Sequence, residues 1–205
     1  MTMNREQTGN NRDARGFSLM ELMIAMLISL TILTAASTLL TRSLSTHSRE
    51  NLRAEALSAT QRGLNIMSRE IGNSGFGLNS NGIVTTDSNG TSIRVRADLN
   101  NNWSLAERDE DIRYVYQSAN KVIARYDAAV GGSPVPLASA VNAMTVTYWD
   151  SANVAITNAA DYGNAERVTI DISVNLPAAP NQPAGLVRMV SDVALRNSPN
   201  TLDYY

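Results

Sequence analysis

The 205-residue chain has no cysteine, one histidine and six prolines, none of them before residue 134. Without cysteine there is no disulfide, no thiol nucleophile and no thiolate metal centre, so stability must come from a packed core. A single histidine, His47, leaves no pair for a zinc-hydrolase HExxH helix and no independent base for a catalytic triad. GxSxG and GxxxxGK[ST] are absent as well, and "GNSGFG" (72–77) lacks dinucleotide-loop spacing and follows a helical stretch instead of a strand. These absences argue against an enzyme and against a bound organic cofactor. The formal net charge is −2, so no basic field for nucleic acid is expected.

Charge is missing most conspicuously near the N-terminus. Lys and Arg are absent from residues 16–41, and residues 22–41 carry no charge of either sign. As a helix this run rises about 30 Å, one bilayer hydrocarbon core. It is too long for the h-region of an ordinary secretory signal, although Ala35-Ala36-Ser37 loosely resembles a cleavage site. The preceding segment holds Arg5, Arg12 and Arg15 against Glu6 and Asp13, so the positive-inside tendency keeps it cytoplasmic and sends everything after Arg42 across the membrane.

Proline is also absent from Arg42 to Ile71, where Leu52, Ala56, Ala59, Leu64, Met67 and Ile71 recur at helical steps. The pattern predicts one helix from about Phe17 to Ile71, ended by the Gly- and Asn-rich "IGNSGFGLNSNG" at 71–82. Beyond residue 82 the period becomes two. Ile93/Val95/Ala97, Ile112/Tyr114/Tyr116 and Val168/Ile170/Ile172/Val174/Leu176 alternate with polar residues, as half-buried strands do.

"YQSANKVIA" (116–124) and "YWDSANVAI" (148–156) read as two hairpins, and "LVRMVSDVALRN" as a closing strand. Pro134, Pro136, Pro177, Pro180, Pro183 and Pro199 are expected between such runs or near the C-terminus, with "LPAAPNQPAG" (176–185) a loop between the last two strands. The expected fold is α+β: an antiparallel sheet of about five to seven strands, one face packed on the second half of the helix.

"RGFSLMELMIAM" resembles the signature of type IV prepilins: a glycine before the cut, Phe17 after it, and Glu21 as the fifth residue of the processed chain. The resemblance implies a leader at 1–16, a transmembrane assembly helix at 17–41, its amphipathic continuation at 42–72 and a periplasmic sheet domain at 73–205. It also implies cleavage by a prepilin peptidase between Gly16 and Phe17, with methylation of the new Phe17 amine. Implied partners are other minor and major pilins, through the N-terminal helix, and an inner-membrane assembly platform.

"MSREIGNSGFG", "LASAVNAMTVTYWDS" and "ERVTIDISVNL" are similar in layout to the PilW minor pilins, a pattern shared by the J-type minor pseudopilin of type II secretion. The span lacks the proline common in major pilins, the chain lacks the cysteines of their C-terminal loop, and the leader is somewhat long, with Met3 as an alternative start. A reading from another class, a membrane-tethered periplasmic binding module with an uncleaved anchor, stays open.

Cleavage would place an amine one helical turn from Glu21. A carboxylate at membrane depth costs several kcal/mol alone and marks a site where a partner charge is expected. In a filament that partner is the Phe17 amine of a neighbouring subunit; peptidase recognition and simple snorkelling are the alternatives. Elsewhere, Asp98, Asn100, Asn102, Ser104 and Asp109 stand at offsets like those of a calcium loop, with Trp103 where such a loop uses glycine. An ordinary polar hairpin loop with solvated acids is the competing reading. Arg94, Arg96 and Arg113 suggest a basic stripe on the wet sheet face, and His47 a solvated residue just past the membrane.

Overall fold

The computed structural model describes residues 16–176, 178 and 184–198. Most of the expected leader, together with Pro177, Pro180, Pro183 and Pro199, lies outside the described residues. The structure divides between Thr46 and His47 into two compact units. Helix α1 runs Leu19–Gly72. Its turns up to Thr46 belong to the first unit, and there every residue is exposed.

In the second unit the apolar stripe becomes core from about Ala56 onward. Leu64, Met67 and Ile71 are buried, whereas Leu52 at the start of the stripe is exposed. Eight strands follow: β1 Ser92–Arg96, β2 Asp111–Gln117, β3 Val122–Asp127, β4 Val135–Ala138, β5 Val141–Trp149, β6 Ala155–Ile156, β7 Arg167–Leu176 and β8 Gly185–Ala194. They form two antiparallel sheets, ordered β1-β2-β3-β4 and β6-β5-β7-β8, where the periodicity suggested one.

The β2–β3 and β5–β6 pairs are the two Ser-Ala-Asn hairpins. The alternation in β7 is strict, with Val168, Ile170, Ile172, Val174 and Leu176 turned inward, and the closing run is edge strand β8. Pro136 departs from expectation by lying within β4. It is tolerated because β4 is an edge strand, where a missing N–H need break no ladder.

One core joins α1 and both sheets. Leu64, Met67 and Ile71 meet Ile93, Ile112, Tyr114 and Ile123 from the first sheet and Met144, Val146, Tyr148 and Ile170 from the second. Polar links tie the sheets at their margins: Val141 N donates to Lys121 O (2.9 Å) and Val146 N to Gly90 O (2.8 Å).

The loop after α1 is strapped onto β1. Gly75 N donates to Arg96 O and Arg96 N to Gly82 O, both at 2.8 Å. Gly75 (φ 80°) and Gly82 (φ 74°) have no room for a side chain, since a Cβ on either would come within 2.3 Å of backbone oxygen. Buried Asn81 closes the loop by donating Nδ2 to Tyr162 O (2.8 Å) and Ala165 O (3.0 Å) while its Oδ1 accepts from Ile83 N.

Candidate functional site: the N-terminal assembly segment

Gly16 and Phe17 precede α1, and Phe17 is 82 % exposed. The helix opens with Glu21 N and Leu22 N both donating to Ser18 O at 3.0 Å, and Glu21 stands in the first turn. A carboxylate there complements the positive end of the helix dipole.

The run that follows is apolar on all sides. Leu22, Met23, Ile24, Met26, Leu27, Ile28, Leu30, Ile32 and Leu33 are all more than half exposed, which no aqueous monomer favours. Five of its hydroxyls are turned back on the helix. Ser29 donates to Ala25 O (2.8 Å), Thr31 to Ile28 O (2.7 Å), Thr34 to Leu30 O (3.0 Å), Thr38 to Ala35 O (2.8 Å) and Thr41 to Ser37 O (2.9 Å). Polar side chains satisfied within their own helix add little to the cost of entering hydrocarbon. Glu21 differs from them, because its carboxylate has no hydrogen-bond or ion-pair partner among the described residues.

Residues 11–37 match the prokaryotic N-terminal methylation motif. This is a type IV pilin-like N-terminus. The match covers the segment that holds Gly16, Phe17, Glu21 and most of the uncharged run, and it stops short of the sheet domain. No curated protein matches the chain as a relative. With the one helix long and apolar enough to cross a membrane among the described residues, the motif agrees with a single-pass, membrane-anchored, pilin-like precursor.

The other predicted positions lie in the second unit. Asp98 is fully buried and accepts from Asn102 N (3.0 Å) and Trp103 N (2.7 Å). Asn100 and Asn102 each donate a side-chain amide to Glu107, at 2.7 and 2.6 Å. Ser104 N is received by Asn102 Oδ1 at 2.8 Å, and Asp109 receives Arg125 Nη2 at 2.6 Å. The loop is thus closed by its own backbone and by Glu107, a residue outside the predicted ligand set. Among the described residues, no group of three or more His, Cys, Asp or Glu could hold a metal ion.

Trp103 is held at φ 66° and left 80 % exposed. Trp149 donates Nε1 to Thr169 Oγ1 (2.8 Å) beneath Arg167, whose guanidinium lies 4.6 Å from the ring centroid. His47 is exposed.

The suggested arginine stripe is largely neutralised. Arg94 Nε and Nη2 fork onto Asp111 at 2.7 Å each, Arg94 Nη1 pairs with Asp87, and Arg96 Nε meets Asp111 at 2.8 Å. Burial by itself would raise the Asp111 carboxyl, but hydrogen bonds from Arg94 and Arg96 outweigh it and hold the pKa below the usual value.

A second network had no local signal. Glu70, in the last turns of α1, accepts the Tyr114 hydroxyl and the Arg125 fork (3.0 and 3.1 Å). Burial, reinforced by the Glu70 charge, pushes the Tyr114 phenol far above its ordinary value, so it stays a neutral donor. Tyr114 and Arg125 face each other across β2 and β3, and only that register reveals their shared partner 44 to 55 residues away.

Proposed function

We propose that this chain is a minor type IV pilin of the PilW kind, made as a single-pass inner-membrane precursor with its sheet domain in the periplasm. In this reading a prepilin peptidase removes residues 1–16 and methylates the Phe17 amine, and the processed subunit helps to initiate or cap a filament. Its work is assembly, and it performs no catalysis. The observation that carries the reading is a methylation motif that extends over the first turns of α1, where the apolar surface up to Thr46 is uncovered and the one carboxylate, Glu21, has no partner among the described residues.

Mechanistically, cleavage after Gly16 removes Arg15 and leaves an α-amine with a reference pKa near 8. That positive end then compensates Glu21 of an adjacent subunit, so docking removes two isolated charges from lipid together and selects one axial register. Helix packing in the membrane supplies the remaining attraction, with major and minor pilins and the assembly platform as partners. The type II secretion pseudopilin would use the same N-terminal chemistry, and the operon that carries the gene distinguishes the two.

Co-expression with a prepilin peptidase is expected to shorten the chain by the leader and to yield N-methylphenylalanine by mass spectrometry. Glu21→Ala is expected to be cleaved normally yet to be lost from sheared filaments or from co-purified pilin complexes. An uncleaved chain would establish the tethered-module reading instead, and a cleaved Glu21→Ala chain incorporated like wild type would remove the charge-pair role.

A further inference from the structure

A cavity of about 230 Å³ lies beside the last turns of α1, lined by Arg69 and Glu70 of the helix, Asn73 just after it, and Val95, Arg96, Ala97, Leu99, Asp109, Glu110 and Ile112 in and around β1 and β2. Its buried members are Val95, Ala97, Ile112 and the carboxylate of Glu110, which is 2 % exposed. Glu110 Oε1 accepts from Leu99 N at 3.1 Å, but Oε2 is buried with no hydrogen-bond partner. A buried charged acceptor left unpaired is costly, and such exceptions ask for a missing donor.

The other charged groups of the lining do not supply it. Glu70 is taken up by Tyr114 and Arg125, and Asp109 by Arg125. Arg96 is turned through Nε to Asp111, and Arg69, exposed at the helix end, makes no bond to Glu110. Nearby on β3, Asp127 has a second buried, unpartnered oxygen, Oδ1, and its Oδ2 already accepts from Asp109 N. Asp127 faces Ile112 across the ladder, and Glu110 stands just before β2.

We propose that this cavity binds an alkylammonium group, with Glu110 as its counter-charge. An anion would leave Oε2 unpaired and add repulsion. A lone water would donate to Oε2 without compensating the charge, and the cavity is many times larger than the roughly 30 Å³ share of one water. A divalent metal is not favoured, since Glu70 and Asp109 are already held by Arg125 and no group of three or more His, Cys, Asp or Glu among the described residues could hold a metal ion. An ammonium on an aliphatic stem satisfies both features: its head donates to Glu110 while its methylenes lie along Val95, Ala97, Leu99 and Ile112. Such a group is carried by a lysine side chain or by a free small amine. The site does not depend on how the N-terminus is processed.

The test follows the thermal midpoint of the full chain in detergent at matched ionic strength, with n-butylammonium chloride, Nα-acetyl-lysine amide or potassium chloride. A saturable rise with an amine, weakened at least tenfold in Glu110→Gln, is expected. Saturation by capped lysine assigns the site to a protein side chain, and saturation by n-butylammonium alone assigns it to a small amine. Ala97→Leu, which fills the cavity and keeps the carboxylate, should also lose the response and serves if Glu110→Gln does not fold. No amine-specific shift, or one unchanged in these variants, overturns the proposal.

Discussion

Asp111 illustrates how strongly one side chain is constrained here. Its side chain is only 6 % exposed and is shared by two guanidiniums, so Asp111→Asn leaves Arg94 and Arg96 without their common counter-charge. The expected loss is about 3 kcal/mol, the lower end for breaking a buried pair, because both arginines keep some contact with water. Since the folded-state pKa lies below the unfolded one, the contribution is fully present above the unfolded value and disappears as pH falls through the folded value. Acid titration of the full chain in detergent should show a stability loss below about pH 4 that is smaller in Asp111→Asn. Equal acid sensitivity in both would show that the pair contributes nothing.

Helix α1 is one element with two environments. Met67 is fully buried among both sheets, so Met67→Ala removes core volume and should cost about 3 kcal/mol. Leu52 belongs to the same apolar stripe by spacing but is 53 % exposed, and Leu52→Ala should change stability by less than about 0.5 kcal/mol. Denaturant midpoints of the two variants would reverse this order if the helix were packed one or two turns earlier. The 98–109 loop makes a contrasting case, because its acids are occupied by backbone N–H groups, Asn amides and Arg125. Millimolar calcium is therefore expected to leave the melting temperature unchanged; a saturable rise lost in Asp98→Asn would establish the calcium reading.

For the molecule as a whole, the uncovered apolar run and the compact sheet unit demand different solvents. The first unit has no buried residue among those described, and the second has a continuous core. Carbonate washing of membranes is expected to leave the full chain in the pellet, as befits a helix embedded in lipid. Release into the supernatant would show that the run lies on the membrane surface or binds another protein.

The long uncharged apolar helix, the helical stripe, the main alternating strands and the Gly16–Phe17–Glu21 spacing were all legible in the amino-acid sequence, because each is a short-range pattern along one segment. Two sheets in place of one, the edge position that admits Pro136 and the choice of Asp111 by Arg94 and Arg96 were not. Nor were the Glu70–Tyr114–Arg125 cluster and the unpaired oxygen of Glu110. These depend on strand register and on which distant groups meet after folding. Periodicity records that a residue is buried, while its partner is decided only when the chain closes around it.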